Sequence, residues 1–82
     1  MEREEVLKRI SIDPRVCGGR PVVRGTRVWV SLVLDNLAAG MTEKQLLREY
    51  PQLTHADVLA CLAYAAEVAR ERVVPIPTRR SG

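Results

Sequence analysis

The hydrophobic positions of this 82-residue chain change character near residue 30. Before it they come in short runs. Ile10-Ser11-Ile12 alternates with the period of a strand, and Asp13-Pro14 closes the run, because a residue before proline is driven away from helix. Residues 20–30 predict a β-hairpin. Pro21 suits a strand start, Val22-Val23 are β-branched, Arg24-Gly25-Thr26 makes the turn, and Arg27-Val28-Trp29-Val30 returns. Gly25 is free to take positive φ there, and Gly18-Gly19 lets the chain bend into the unit. Alternation would put Arg20, Val22 and Arg24 on one face of the hairpin and Pro21 and Val23 on the other. Upstream, Glu4/Lys8 and Glu5/Arg9 stand four apart in the favourable order, predicting a short, solvated helical turn over residues 2–9.

After residue 30 the period becomes helical. The first helix, 31–39, is expected to be capped by Ser31, to bury Val33, Leu34 and Leu37, and to stop at Gly40. In the second, 43–50, Thr42 and Gln45 form a capping box, Leu46, Leu47 and Tyr50 make the apolar face, and Pro51 ends it. The third, 55–72, starts from Thr54 with Asp57 at the positive end of the helix dipole. Between Val58 and Ala69 only Glu67 is charged. Val58, Leu62, Ala65 and Ala69 would form one stripe, with Leu59, Cys61, Tyr64, Ala66 and Val68 around the rest. A helix apolar nearly all round is buried nearly all round, and so small a domain has little mass to cover it. A homodimer with Leu59, Tyr64 and Val68 at its interface is therefore expected. The organisation is one domain, 1–74, with a β element over 10–30, followed by an extended tail, 75–82, that Pro75 and Pro77 keep from being helical.

Composition narrows the class. Aromatics are only Trp29, Tyr50 and Tyr64, so aliphatic side chains carry the packing. Residues 1–27 hold seven Lys/Arg against four Asp/Glu, while residues 28–82 hold six of each. The basic excess is thus local, as at an anion-binding surface. Cys17 and Cys61 stand 44 positions apart without a CxxC, and His55 is the single histidine, so no metal site is expected and two reduced thiols are. The start, MEREEVLKRI, lacks the apolar core of a signal peptide, and no apolar run is long enough to span a membrane. A cytoplasmic protein is expected.

The stretch Gly18-Gly19-Arg20-Pro21-Val22-Val23-Arg24-Gly25-Thr26-Arg27 invites a phosphate-loop reading that its spacing refuses. A P-loop needs GxxxxGK[ST], and here the lysine is missing and the interval is one too long; the dinucleotide fingerprint GxGxxG is also absent. No nucleotide cofactor is expected. With His55 the single histidine, placed at a helix start, no catalytic residue is assigned and the protein is not expected to be an enzyme. The second and third helices, joined across Pro51 to Thr54, have the connection of a helix-turn-helix. The candidate nucleic-acid contacts are Arg20, Arg24, Thr26 and Arg27 from the hairpin and Thr54 and His55 at the start of the third helix. Spacing alone equally permits the arginines to be a charged edge that keeps strands from aggregating.

In order and spacing, Ile10, Asp13-Pro14, Val16, Gly18-Gly19, Pro21 and Gly25-Thr26-Arg27 resemble the signature of the prokaryotic family called domain of unknown function 433 (DUF433). The resemblance continues through Val30, Leu34, Leu37-Ala38, Gly40, Leu46-Leu47, Tyr50-Pro51, Leu53-Thr54, Asp57-Val58, Leu62 and Tyr64-Ala65, about residues 10–66. It implies a mainly α, homeodomain-like or winged helix-turn-helix fold of three helices with a short N-terminal strand and hairpin. It further implies a VapB-type antitoxin-like role: binding a PIN-like ribonuclease toxin and double-stranded DNA at the protein's own promoter. The competing reading is a protein–protein adaptor that pairs through its hairpin and never touches DNA.

Overall fold

The computed structural model describes residues 3–71, and the expected extended tail at 75–82 lies outside them. The elements run α1 (Arg3–Leu7), β1 (Ile10–Ser11), β2 (Val22–Val23), α2 (Val30–Ala38), α3 (Glu43–Glu49) and α4 (His55–Glu71). The protein is mainly helical, with one small antiparallel sheet.

That sheet corrects the expected hairpin. β2 pairs with β1, in the register Ile10 with Val23 and Ser11 with Val22. The segment 27–30 is not a strand. It follows β2 only through the bridge between Val22 and Trp29 and two hydrogen bonds, from Val23 N to the Val28 carbonyl at 2.9 Å and from Val30 N to the Pro21 carbonyl at 3.0 Å. The physical reason is that α2 begins at Val30, so the chain coils where a return strand would have to run on. The turn itself is as expected, with Gly25 at φ 82° and Thr26 N donating to the Val23 carbonyl at 2.9 Å. The expected two-faced alternation fails, since Val22 and Val23 are both buried. Val23 joins the main core, whereas Val22 packs on a surface shared with Ser11 and Val16. Between the strands, Cys17, Gly18 and Gly19 all take positive φ, a single left-handed turn closed by Gly19 N on the Val16 carbonyl and Arg20 N on the Cys17 carbonyl.

Three further expectations are corrected. Ser31 does not cap α2; it lies inside the first turn, because the helix already begins at Val30, whose N–H bonds to the Pro21 carbonyl, and the N-cap Trp29 has no side-chain acceptor to offer. Residues 3–7 are helical but not simply solvated, since Val6 is buried and α1 packs along α4. On α4 the inward stripe is Val58 and Cys61 with half-buried Tyr64 and Val68, whereas Leu62 is 47% exposed. The stripe is displaced because α1, α2, α3 and β1 all pack on α4, and their placement selects which positions turn inward.

The other two helix starts read from the sequence are present. Thr42 Oγ1 accepts Gln45 N at 3.1 Å while Gln45 Oε1 accepts Thr42 N at 2.9 Å. At α4, Thr54 Oγ1 accepts Asp57 N at 3.3 Å and Asp57 Oδ2 accepts Thr54 N at 2.9 Å. The core gathers Val6, Ile10, Val23, Val28, Val30, Val33, Leu46, Leu53, Val58, Ala60 and Cys61 around α4.

A Cβ at Gly25 would meet nothing within 4 Å, so substitution there tests backbone conformation alone. Gly25→Val is expected to lose about 1–2 kcal/mol, which a thermal melt reads as a midpoint lowered by roughly 4–8 °C per kcal/mol. An unchanged midpoint would contradict the positive φ.

Candidate functional site

Among the described residues the fold engages five of eight arginines internally, and the exceptions near the Gly25 turn mark the candidate site. Arg3 and Arg70 pair with Glu67, Arg9 pairs with Asp57 at 3.3 Å, and Arg15 pairs with Asp13 at 3.1 Å. The Arg15 guanidinium, helped by the Arg15 backbone N–H, holds the Asp13 carboxyl below its ordinary range. Arg24 is spent as well. Its Nε donates to the Lys8 carbonyl at 2.6 Å and its Nη2 to the Ile10 carbonyl at 3.2 Å, clamping the turn onto the α1–β1 junction. Arg24 therefore sits in a groove with Glu5, Lys8, Arg9 and Asp57.

Arg20 and Arg27 differ. Neither side chain makes a hydrogen bond or ion pair among the described residues. The Arg20 guanidinium instead lies over the Trp29 ring, 4.4 Å from its centroid. Arg27 is exposed and borders two open grooves. The larger, about 620 Å³, is lined by Ser11, Val16, Val22, Gly25, Thr26, Arg27 and Gln52. The second, about 360 Å³, is lined by Arg27, Val28, Trp29, Leu32, Tyr50 and Gln52. Among the described residues no acid lines either groove, and the charge there is that of Arg27. Gln52 belongs to the turn between α3 and α4, so these grooves join the Gly25 turn to the helix pair.

The six candidate nucleic-acid residues are thus divided. Thr26 and Arg27 share one groove, and Arg20 lies beside Trp29 at the other. The Thr26 hydroxyl serves the turn, donating to the Val23 carbonyl at 2.7 Å and accepting Val28 N at 3.0 Å. Thr54 is occupied as the cap of α4, and His55 Nδ1 lies 2.7 Å from Glu43 Oε2 on α3. Of the expected interface residues, Leu59 is 36% exposed, whereas Tyr64 and Val68 are half-buried beside Leu7, Ile10 and Ile12. Sequence reasoning missed Trp29 and Gln52. One signal for Trp29 was present: a lone tryptophan two residues after an arginine-rich stretch.

Residues 10–65 match the family described as "Protein of unknown function (DUF433)". The chain belongs to the DUF433 family. It is similar to a solved DUF433 member from Anabaena variabilis ATCC 29413, at 32% identity and a TM-score of 0.72, over 83% of this chain and 67% of that one. It is also 38% identical over 56 residues to the uncharacterized protein y4eO of Sinorhizobium fredii (strain NBRC 101917 / NGR234). That match takes in 68% of this chain but 25% of y4eO, so the chain spans about a quarter of that relative's length. The DUF433 match takes in the whole Gly25 turn, both grooves and all but the end of α4.

The DUF433 chain's two thiols are free and differ in setting. Cys17 is half-exposed on the left-handed turn, and its Sγ lies 3.9 Å from the Arg27 carbonyl. Cys61 is fully buried, and burial, reinforced by the Asp57 carboxylate, pushes its thiol up to about 11. Among the described residues no group of three or more His, Cys, Asp and Glu is placed to hold a metal ion, and no helix is long and apolar enough to cross a membrane.

At pH 8 a disulfide-exchange reagent is expected to label Cys17 in the native protein and Cys61 only after denaturation. Because the folded value of Cys61 lies above its ordinary 9.0, its contribution to stability is complete below pH 9 and is lost as pH rises towards 11. Urea midpoints measured across that range should fall, and Cys61→Ala should flatten the fall.

Proposed function

We propose that this DUF433 protein is a DNA-binding, antitoxin-like member of a bacterial toxin–antitoxin pair. The observation that supports the DNA-binding half is the convergence of Arg20 and Arg27, the arginines left without polar partners near the Gly25 turn, with the α3–α4 turn at Gln52. Guanidinium groups suit phosphate, and grooves without acids do not oppose it. In this reading α3, the Tyr50–Thr54 connection and α4 act as a helix-turn-helix, with the Gly25 turn as a small wing beside it. The PIN-like ribonuclease partner rests on the family resemblance. The adaptor reading has less support, since β2 is hydrogen-bonded towards both β1 and the Val28–Val30 segment and offers no free edge.

The outer face of α4 supports a second copy in the assembly. Leu59 and Leu62 are exposed there, with Ala66 and Ala69 continuing the same side of the helix. Changing Leu59 and Leu62 together to Glu should convert a dimer to a monomer in sedimentation with the helical circular dichroism intact. A monomeric wild type at micromolar concentration would remove the dimer from this reading.

The DNA contact is tested by salt titration on the duplex upstream of the gene. Arg20→Gln with Arg27→Gln should lower the log–log slope by about 0.9 for every phosphate that the variant no longer neutralises. Arg24→Gln should leave the slope unchanged and instead lower stability by about 1 kcal/mol, because its carbonyl hydrogen bonds are structural. Equal slopes in wild type and double variant would exclude Arg20 and Arg27 as phosphate contacts.

A further inference from the structure

We infer that Trp29 is a stacking platform for an unpaired nucleobase, so that the Arg20–Arg27 face takes single-stranded nucleic acid. The inference rests on that face being the nucleic-acid surface and goes beyond it by naming the strandedness. Trp29 is the single tryptophan of the chain, and it remains 37% exposed while every valine around it is buried. Its backbone is held from several directions. Trp29 bridges to Val22, its carbonyl accepts Leu32 N and Val33 N, and the next residue bonds to Pro21. A fixed backbone at the start of α2 presents the indole with little ordering left to do on binding.

The surroundings define the ligand. One contact of the ring is the Arg20 guanidinium. The ring also borders the 360 Å³ groove, whose other members include Arg27, Gln52 and Tyr50. Two of the three aromatics in the chain therefore meet in one groove whose charge is wholly positive. Gln52 makes no side-chain hydrogen bond among the described residues and lies where an amide can pair with a base edge. An aromatic face for the base, guanidinium groups for the phosphates on either side and an amide for the base edge are the components of single-strand recognition. In a duplex the faces of the bases are covered by their neighbours, so an indole can stack only on a base that has left the helix.

Trp29 is also its own reporter. The protein is titrated with a thymidine homo-oligomer of about ten nucleotides, within the usual site size of small single-strand binders, and with a duplex of the same length. The expected result is saturable quenching of Trp29 fluorescence by the single strand, relieved by added salt. The duplex, which can reach the arginines but cannot stack on the ring, should quench far less. Anisotropy of a labelled oligomer supplies a second reading that does not need the indole: Trp29→Leu should weaken single-strand binding about tenfold or more, and Trp29→Phe should retain most of it. Circular dichroism shows whether the leucine variant is folded, and wild-type quenching decides the matter if it is not. Equal affinity of wild type and Trp29→Leu would overturn the platform. So would equal quenching by the duplex. Duplex binding whose salt slope depends on Arg20 and Arg27, with no response to the single strand, would leave the DNA-binding reading standing and remove this one. Binding of neither oligomer, and no binding of the upstream duplex, would remove both.

Discussion

The junction between α1 and β1 is the point on which the rest of the structure leans. Arg9 reaches from it to Asp57, a residue only 8% exposed whose carboxylate also closes the cap of α4 on Thr54 N. From the other side Arg24 donates to the carbonyls of Lys8 and Ile10, and its backbone N–H bonds to the Arg9 carbonyl at 2.6 Å. Three consecutive residues thus tie the N-terminal helix, the small sheet, the Gly25 turn and the longest helix together. Leaving a buried carboxylate without its partners is costly, so this arrangement sets where α4 starts relative to the sheet.

Ion pairs and hydrogen bonds within the fold narrow which arginines are left for the proposed contacts. Four arginines are consumed by acids and one by carbonyls, all in service of the fold. Arg20 and Arg27 escape because the left-handed turn at Cys17–Gly19 and the Gly25 turn direct them to the side where Gln52 and Trp29 lie. The positive φ values therefore bear on the proposed contacts only through placement. They position the guanidinium groups without themselves forming a binding loop.

The family match and the fold agree on one unit over residues 10–65, and α1 adds a short cover on α4 outside it. DUF433 membership supplies no activity of its own. The proposed DNA contact rests on the distribution of charge and aromatic surface, and the proposed toxin partner on the family resemblance.

Local chemistry by itself determined much of this protein. The capping box at Thr42, the cap at Thr54, the stop at Gly40 and the positive φ of Gly25 were all legible, because each depends on groups within four residues of one another. Only the tertiary structure decided that β2 pairs with β1, that Arg24 is structural while Arg20 and Arg27 are not, and that Leu62 faces out. Those outcomes depend on contacts between residues 12 or more positions apart, such as Ile10 with Val23 and Arg9 with Asp57. Period and propensity say which groups want burial or a partner, but a nearly all-apolar helix and three look-alike arginines leave that choice degenerate until the elements pack.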